Sequence, residues 1–411
     1  MDSTGNITWA LTATALVLLM TPGVAFFYGG LVRAKSVISM MMMSFGAIGL
    51  IAVLWMLYGY SMSSVDGPGQ FAGDPFKDFG LAEAASGSGA NAALLSVAYG
   101  ATFAIITVAL ISGAIADRAR FGPWLIFVGV FGTIGYFPIA AWVWGGGWIM
   151  HLGTTLFGKD SGIAVIDYAG GTAVHINAGA AALALALVLG KRIGFGKGIQ
   201  KPHNVPLTLL GAALLWFGWF GFNAGAEWLS PGMGHVGLIA VNTLGASAAG
   251  ILGWILIEKL RDGKPTSVGA VSGLVAGLVA ITPACANLTP GWSLLLGLLS
   301  GAACALAVEL KFRLGFDDSL DVVGLHLVGG VLGTVYLGFF ATGQGLFTGG
   351  DLRLLAVQII AAGGVLVYSF LVSLAIGFVI EKTIGFRVTK EAEVAGVDTF
   401  VHGEEGYALV E

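Results

Sequence analysis

The sequence predicts an all-α integral membrane protein of eleven transmembrane helices, built as an inverted repeat of five plus five with one extra helix after it. Three observations carry this. Charged residues make up 10% of the 411-residue chain and hydrophobic ones 56%, whereas a soluble domain is roughly a quarter charged. Apolar stretches of about 20 residues, enough to cross a bilayer as a helix, recur along the whole length. Two similar stretches, 167–175 and 318–326, each place an acid eight positions before a histidine.

Composition narrows the class further. Glycine accounts for 66 of 411 residues, far above the usual ~7%. The glycines have no three-residue period and prolines are few, which excludes collagen. In a membrane, small residues let helix backbones approach closely, so the pattern reads as a tightly packed bundle. The net charge of -4 says little, because its distribution matters more, and nothing points to a nucleic-acid partner. Cys285 and Cys304 lie in apolar runs without metal spacing and read as buried small hydrophobes. The N-terminal residues before the first apolar run lack the basic region of a signal peptide, so that run reads as a retained helix.

In chain order the spans fall near 8–32, 37–61, 93–115, 122–142, 163–190, 205–223, 235–257, 267–284, 289–310, 322–342 and 353–380. The boundary between 267–284 and 289–310 is the narrowest. One set of loops, with the tail, holds Arg33, Lys35, Arg118, Arg120, Lys191, Arg192, Lys197, Lys201, Lys259, Arg261, Lys264, Lys311, Arg313, Lys382, Arg387 and Lys390; the other holds only Lys77, Lys159 and Arg353. Positive charge favours the cytoplasmic side. The N-terminus is therefore expected outside and the C-terminus in the cytoplasm. Residues 1–380 form the expected membrane domain, with repeats at about 8–190 and 205–342 and the extra helix at 353–380. The outer loop 62–91 and the tail 381–411 carry no strong structural signal, and a loosely ordered tail is the default.

This topology sends the fifth and tenth spans across in opposite directions. Transporters with inverted repeats place their site near the midplane between the halves, so His175 and His326 could meet there. A histidine pair can share one proton and suits proton handling or the passage of a small polar solute. The competing reading is two unrelated histidines, each bonded to a backbone carbonyl. Asp167 could cap its helix or bind a cation directly; Asp318 and Asp321 are expected to cap the tenth span. Tyr99, Phe103, Trp144, Phe220 and Phe222 fall at outer ends of spans, as a lipid-facing belt or as an inward cation–π vestibule. No nucleotide, metal or nucleophile motif is present, so neither an enzyme nor a cofactor is expected.

Several segments together resemble one family. They are Pro22-Gly23-Val24-Ala25-Phe26-Phe27-Tyr28-Gly29-Gly30-Leu31-Val32-Arg33, Thr102-Phe103-Ala104, the run from Gly113 to Arg118, Val143-Trp144-Gly145-Gly146-Gly147, the Asp167–His175 stretch, the run from Trp219 to Gly225, and the run from Asp321 to His326. In this order they resemble the ammonium transporter (Amt/Mep/Rh) family, and specifically its bacterial or archaeal Amt branch, across nearly the whole chain. The resemblance implies a homotrimer in the cell (inner, cytoplasmic) membrane with one pore per protomer. It implies ammonium recruitment at Phe103 and Trp144 with Asp167 behind, a gate of Phe103 and Phe222, and a pore lined by His175 and His326. Ammonium would be deprotonated near the vestibule, ammonia would cross, and a proton would pass by way of the histidines, giving electrogenic transport. Potassium has no proton to give up and would be excluded. A neutral ammonia channel and an ammonium sensor are the alternatives.

Two departures from the family pattern affect recruitment. Where members often carry a vestibule serine, this chain has Ala226, followed by Glu227, so water or Glu227 substitutes or recruitment weakens. Position 99 is Tyr where Phe is frequent, which offers a polar contact. The tail, with Gly396-Val397-Asp398 and His402-Gly403-Glu404, is similar to tails through which bacterial members are regulated by a PII-type signal protein.

Overall fold

In the computed structural model, residues 3–196 and 201–407 are described, and among them every extended element is helical, with only an isolated bridge between Ala119 and Arg387. Met1, Asp2 and Lys197 lie outside these residues. Among the described residues ten helices are long and apolar enough to cross a membrane, making this a multi-pass membrane protein. They are α1 (Thr4–Leu31), α2 (Ala34–Met62), α3 (Ala90–Ile115), α4 (Phe121–Val143), α5 (Gly171–Leu189), α6 (Val205–Leu229), α7 (Val236–Asp262), α9 (Pro290–Leu314), α10 (Val323–Phe340) and α11 (Leu352–Thr383). The expected span at 267–284 forms a shorter helix, α8 (Ser267–Ile281). Just beyond it stands Pro283, which lacks the N–H needed to continue the ladder.

Between apolar helices in lipid there is no hydrophobic drive, so close backbone packing must supply the attraction. That is the use of the glycines. A Cβ added at Gly297 of α9 would sit 2.1 Å from the Ala246 carbonyl oxygen of α7, and one at Gly301 would sit 2.1 Å from that of Gly250. Facing lipid, α11 exposes Ile359, Val367, Leu371 and Phe378.

The fifth span starts later than expected. Residues 163–170 are not helical, and α5 begins at Gly171, after Gly170 at φ 116°. The first turn of α5, Gly171–Ile176, is a π-helix, and so is that of α10, Val323–Leu327. Each π-turn packs against the helical part of the other element. The two histidine-bearing elements thus pair reciprocally at the centre of the bundle.

At the basic end of the bundle, Asp117 pairs with Arg33 at 3.5 Å and Arg192 at 3.1 Å, and Arg192 reaches Asp317 at 2.9 Å. Burial raises the Asp317 carboxyl, but the hydrogen bonds and charge of Arg192 hold it below its ordinary value. Over its described residues, 381–407, the tail is not loose. Helices α12 (Lys390–Ala395) and α13 (Val397–His402) dock on this end. Asp398 accepts the N–H groups of Ile38 at 3.0 Å and Ser39 at 2.7 Å near the start of α2, where the helix dipole favours an anion. Buried Glu393 accepts the Ile193 N–H at 2.6 Å and Arg387 at 2.6 Å. The expectation of loose order fails because these polar contacts are long-range and invisible in local composition.

At the opposite, N-terminal end, the segment between α2 and α3, residues 63–89, has one short helical turn, Phe79–Leu81, yet it is tied down. The Val65 N–H donates to Gly145 and the Trp142 indole donates to the Phe71 carbonyl.

Candidate functional site

A cavity of about 600 Å³ opens at the N-terminal end. Phe103 of α3, Trp144 after α4, Tyr168 before α5, and Phe222 and Ala226 of α6 line it, together with Tyr99. Trp144 meets Phe103 edge-on, with centroids 6.2 Å apart and planes at 87°. Its indole N–H donates to the Asp167 carbonyl at 2.9 Å, which fixes the ring at the rim. Lys77, Asp78 and Glu83 from the 62–91 segment complete the wall. Sequence reasoning missed these three; the acid-rich loop was visible, but only the fold brings it over the cavity. Phe220 does not line it.

The two readings of Asp167 are separated by geometry. Its carboxylate accepts the N–H groups of Gly170 (2.8 Å), Gly171 (2.5 Å), Thr172 (2.8 Å) and Ala173 (3.1 Å), and the Thr172 hydroxyl. It is buried and does not line the cavity. Asp167 thus caps the first turn of α5 from three residues before the N-cap position, Gly170, and its charge acts from behind the wall. Asp318 caps α10 similarly, accepting from Val322 at 3.1 Å and Val323 at 2.7 Å. Asp321 does not cap. It sits at φ 64° and takes the Lys311 ammonium at 2.5 Å, because a nearly buried lysine needs a counter-charge.

Below the cavity, Phe103 and Phe222 stack with centroids 4.3 Å apart at 22°. Beyond them lies a narrow apolar space of about 10 Å³, lined by residues that include Phe222, Trp219, Val275, His175 and His326. The histidines meet there. His175 Nδ1 and His326 Nδ1 are 3.2 Å apart, and among the described residues neither ring bonds a backbone carbonyl. The His175 ring also stacks on Trp219 at 5.5 Å and 21°. A nitrogen–nitrogen contact of this kind needs one donor and one acceptor, so the pair accommodates a single proton between them. Among the described residues, His175 Nε2 has no hydrogen-bond partner. Both histidines sit in the π-turns, a feature often found at functional sites and not readable from spacing.

Two expectations about polar contacts are revised. The Tyr99 hydroxyl donates to the carbonyls of Gly221 at 3.0 Å and Phe222 at 3.2 Å. It braces α6, leaving its ring to line the cavity. Ala226 lines the cavity as a methyl group, but Glu227 does not face it. Glu227 is 1% exposed and accepts the Tyr168 hydroxyl and the His235 N–H, the latter at 2.9 Å. Burial pushes the Tyr168 phenol up, and donation to Glu227 pushes it further.

A closely packed helical membrane bundle with a wide cavity at one end and a narrow apolar space beneath it belongs to the class of multi-pass membrane transport proteins. The profile of the Ammonium Transporter Family matches residues 8–407. The chain is 49% identical to the ammonium transporter of Mycobacterium tuberculosis, over 98% of this chain and 90% of that one. It is 39% identical to the ammonium transporter Amt1 of Archaeoglobus fulgidus, over 98% and 100% of the two. The crystal structure of Candida albicans Mep2 superposes with a TM-score of 0.83 at 33% identity, covering 95% of this chain and 87% of that one. The chain belongs to the ammonium transporter family.

Proposed function

We propose that the protein recruits ammonium at the cavity, deprotonates it there, and conducts ammonia through the histidine-lined space, with a proton passing by way of His175 and His326. The observation that carries this is the stacked Phe103–Phe222 pair separating the cavity from histidines in mutual contact. The faces of Phe103 and Trp144 attract a cation by their quadrupoles, by about 1–2 kcal/mol once it sheds water. Asp167 adds negative potential from behind. An intact ammonium ion cannot follow cheaply, since an uncompensated charge in hydrocarbon-like surroundings costs several kcal/mol or more. Ammonia, neutral and small, can. The same argument excludes potassium, which has no proton to give up, and net transport is electrogenic because the proton released from ammonium crosses separately by way of His175 and His326.

In this reading the eleven helical segments form an inverted repeat plus α11, with the N-terminus and cavity outside. The basic end and its docked tail lie at the cytoplasmic face of the inner membrane. The functional unit is a homotrimer, and the tail, residues 381–411, is a regulatory segment and the docking site for a PII-type protein.

The test is current across a supported membrane holding purified protein, on a jump from sodium or potassium to ammonium. A saturable, ammonium-specific current that is lost in His175→Ala/His326→Ala is the expected result. Ammonia flux without wild-type current would sink proton coupling in favour of a neutral channel. Ammonium binding with neither would identify a sensor.

A further inference from the structure

Ala226 presents only a methyl group to the cavity on the α6 side, and the acid that follows it is turned into the protein. What faces the cavity in its neighbourhood is Tyr168. That residue directly follows the Asp167 cap, and its backbone N–H donates to the Pro283 carbonyl at 3.2 Å, so its place is fixed. Its hydroxyl donates to Glu227 Oε1. The second carboxylate oxygen is held by the His235 N–H, and His235 Nδ1 lies 3.6 Å from Oε1.

The chemistry of this arrangement is directional. A phenol has one proton and two acceptor lone pairs. With its proton committed to a carboxylate, the oxygen is polarised toward anionic character, and hydrogen bonds coupled to a charge are about twice as strong as neutral ones. No donor among the described residues bonds to this oxygen. Of the other two acids of the wall, Glu83 is exposed to solvent. Both Asp78 oxygens accept backbone N–H groups, from Glu83 and Ala84 at 2.8 Å each. Lys77 beside it brings positive charge, paired with exposed Asp66 at 3.5 Å.

We propose that the Tyr168 oxygen is a substrate contact of the cavity, accepting an ammonium N–H, and that buried Glu227 is the positioning residue that polarises it and supplies the charge Ala226 does not. This rests on the recruitment reading above.

Ammonium-evoked currents of Tyr168→Phe, Glu227→Gln and Ala226→Ser/Glu227→Gln test it against wild type. The two single variants are expected to raise the half-saturating ammonium concentration at least fivefold, with maximal current kept within twofold. Restoring a hydroxyl in Ala226→Ser/Glu227→Gln is expected to return half-saturation to within twofold of wild type. Unchanged half-saturation in Tyr168→Phe, or loss of maximal current in Glu227→Gln without rescue by the serine, would overturn it and leave Glu227 a purely structural anchor. If wild type itself carries no current, the electrogenic reading has failed rather than this one. Stabilisation against heat by ammonium chloride relative to sodium chloride then decides: weaker in Tyr168→Phe supports the contact, equal overturns it.

Discussion

Phe222 stacks on Phe103 at 4.3 Å on one side and lies 5.9 Å from the His175 ring on the other, so it holds both spaces apart with one side chain. Phe222→Ala removes a fully buried ring, at a cost of about 3–5 kcal/mol where the surroundings cannot collapse. It should join the two cavities. The expected outcome is a conductance to potassium that wild type lacks, seen as potassium current in the same supported membranes. Asp167 offers a second residue-scale test. Asp167→Ala strips five donors of their acceptor, and each stranded buried N–H costs about 1–3 kcal/mol. A fall in the midpoint of thermal unfolding in detergent by many degrees is expected, whatever happens to transport. Asp167 and Phe222 were both picked out from the sequence. Their division of labour was not, since capping and cation binding predict the same residue type at the same helix end.

Helices in this chain meet backbone to backbone. Gly297→Leu would drive a side chain into the Ala246 carbonyl, 2.1 Å from the first added carbon, and should abolish recovery of folded protein from membranes. Gly291, with open space around it at the start of the same helix, is the control, and Gly291→Ala should be recovered normally. The docked tail makes a separate element-scale prediction. Asp398→Ala leaves the Ile38 and Ser39 N–H groups without their acceptor and removes an anion from a helix N-terminus, together worth about 1–3 kcal/mol. Limited trypsin digestion should then cut at Arg387 or Lys390 several times faster than in wild type. Equal rates would mean that Glu393, rather than Asp398, holds the tail.

For the whole molecule, the direction of insertion decides which solution the cavity meets. Cys285 and Cys304 are fully buried, so single introduced cysteines can report topology over a low background. With a membrane-impermeant maleimide, Ser86→Cys should label in intact cells and Glu405→Cys only after permeabilisation. The reverse pattern would invert the assignment made from the basic residues. That assignment draws on charge asymmetry between loops, which acts during insertion and leaves its record in the sequence alone.

The sequence by itself determined the solvent, the class and the family, because bilayer length, the absence of charge and the order of motifs are local properties of the chain. It also picked out His175, His326, Phe103, Trp144 and Phe222, since polar or aromatic residues at those depths stand out against an apolar background. Only the tertiary structure decided that the histidines share a contact, that the Tyr99 hydroxyl and the Glu227 carboxylate turn into the protein while Tyr168 faces the cavity, that Asp321 serves Lys311, and that loop 62–91 forms a wall. Each of these depends on which groups from distant parts of the chain satisfy one another's hydrogen bonds once water is gone. Donors and acceptors are legible in a sequence; their pairing is fixed by packing.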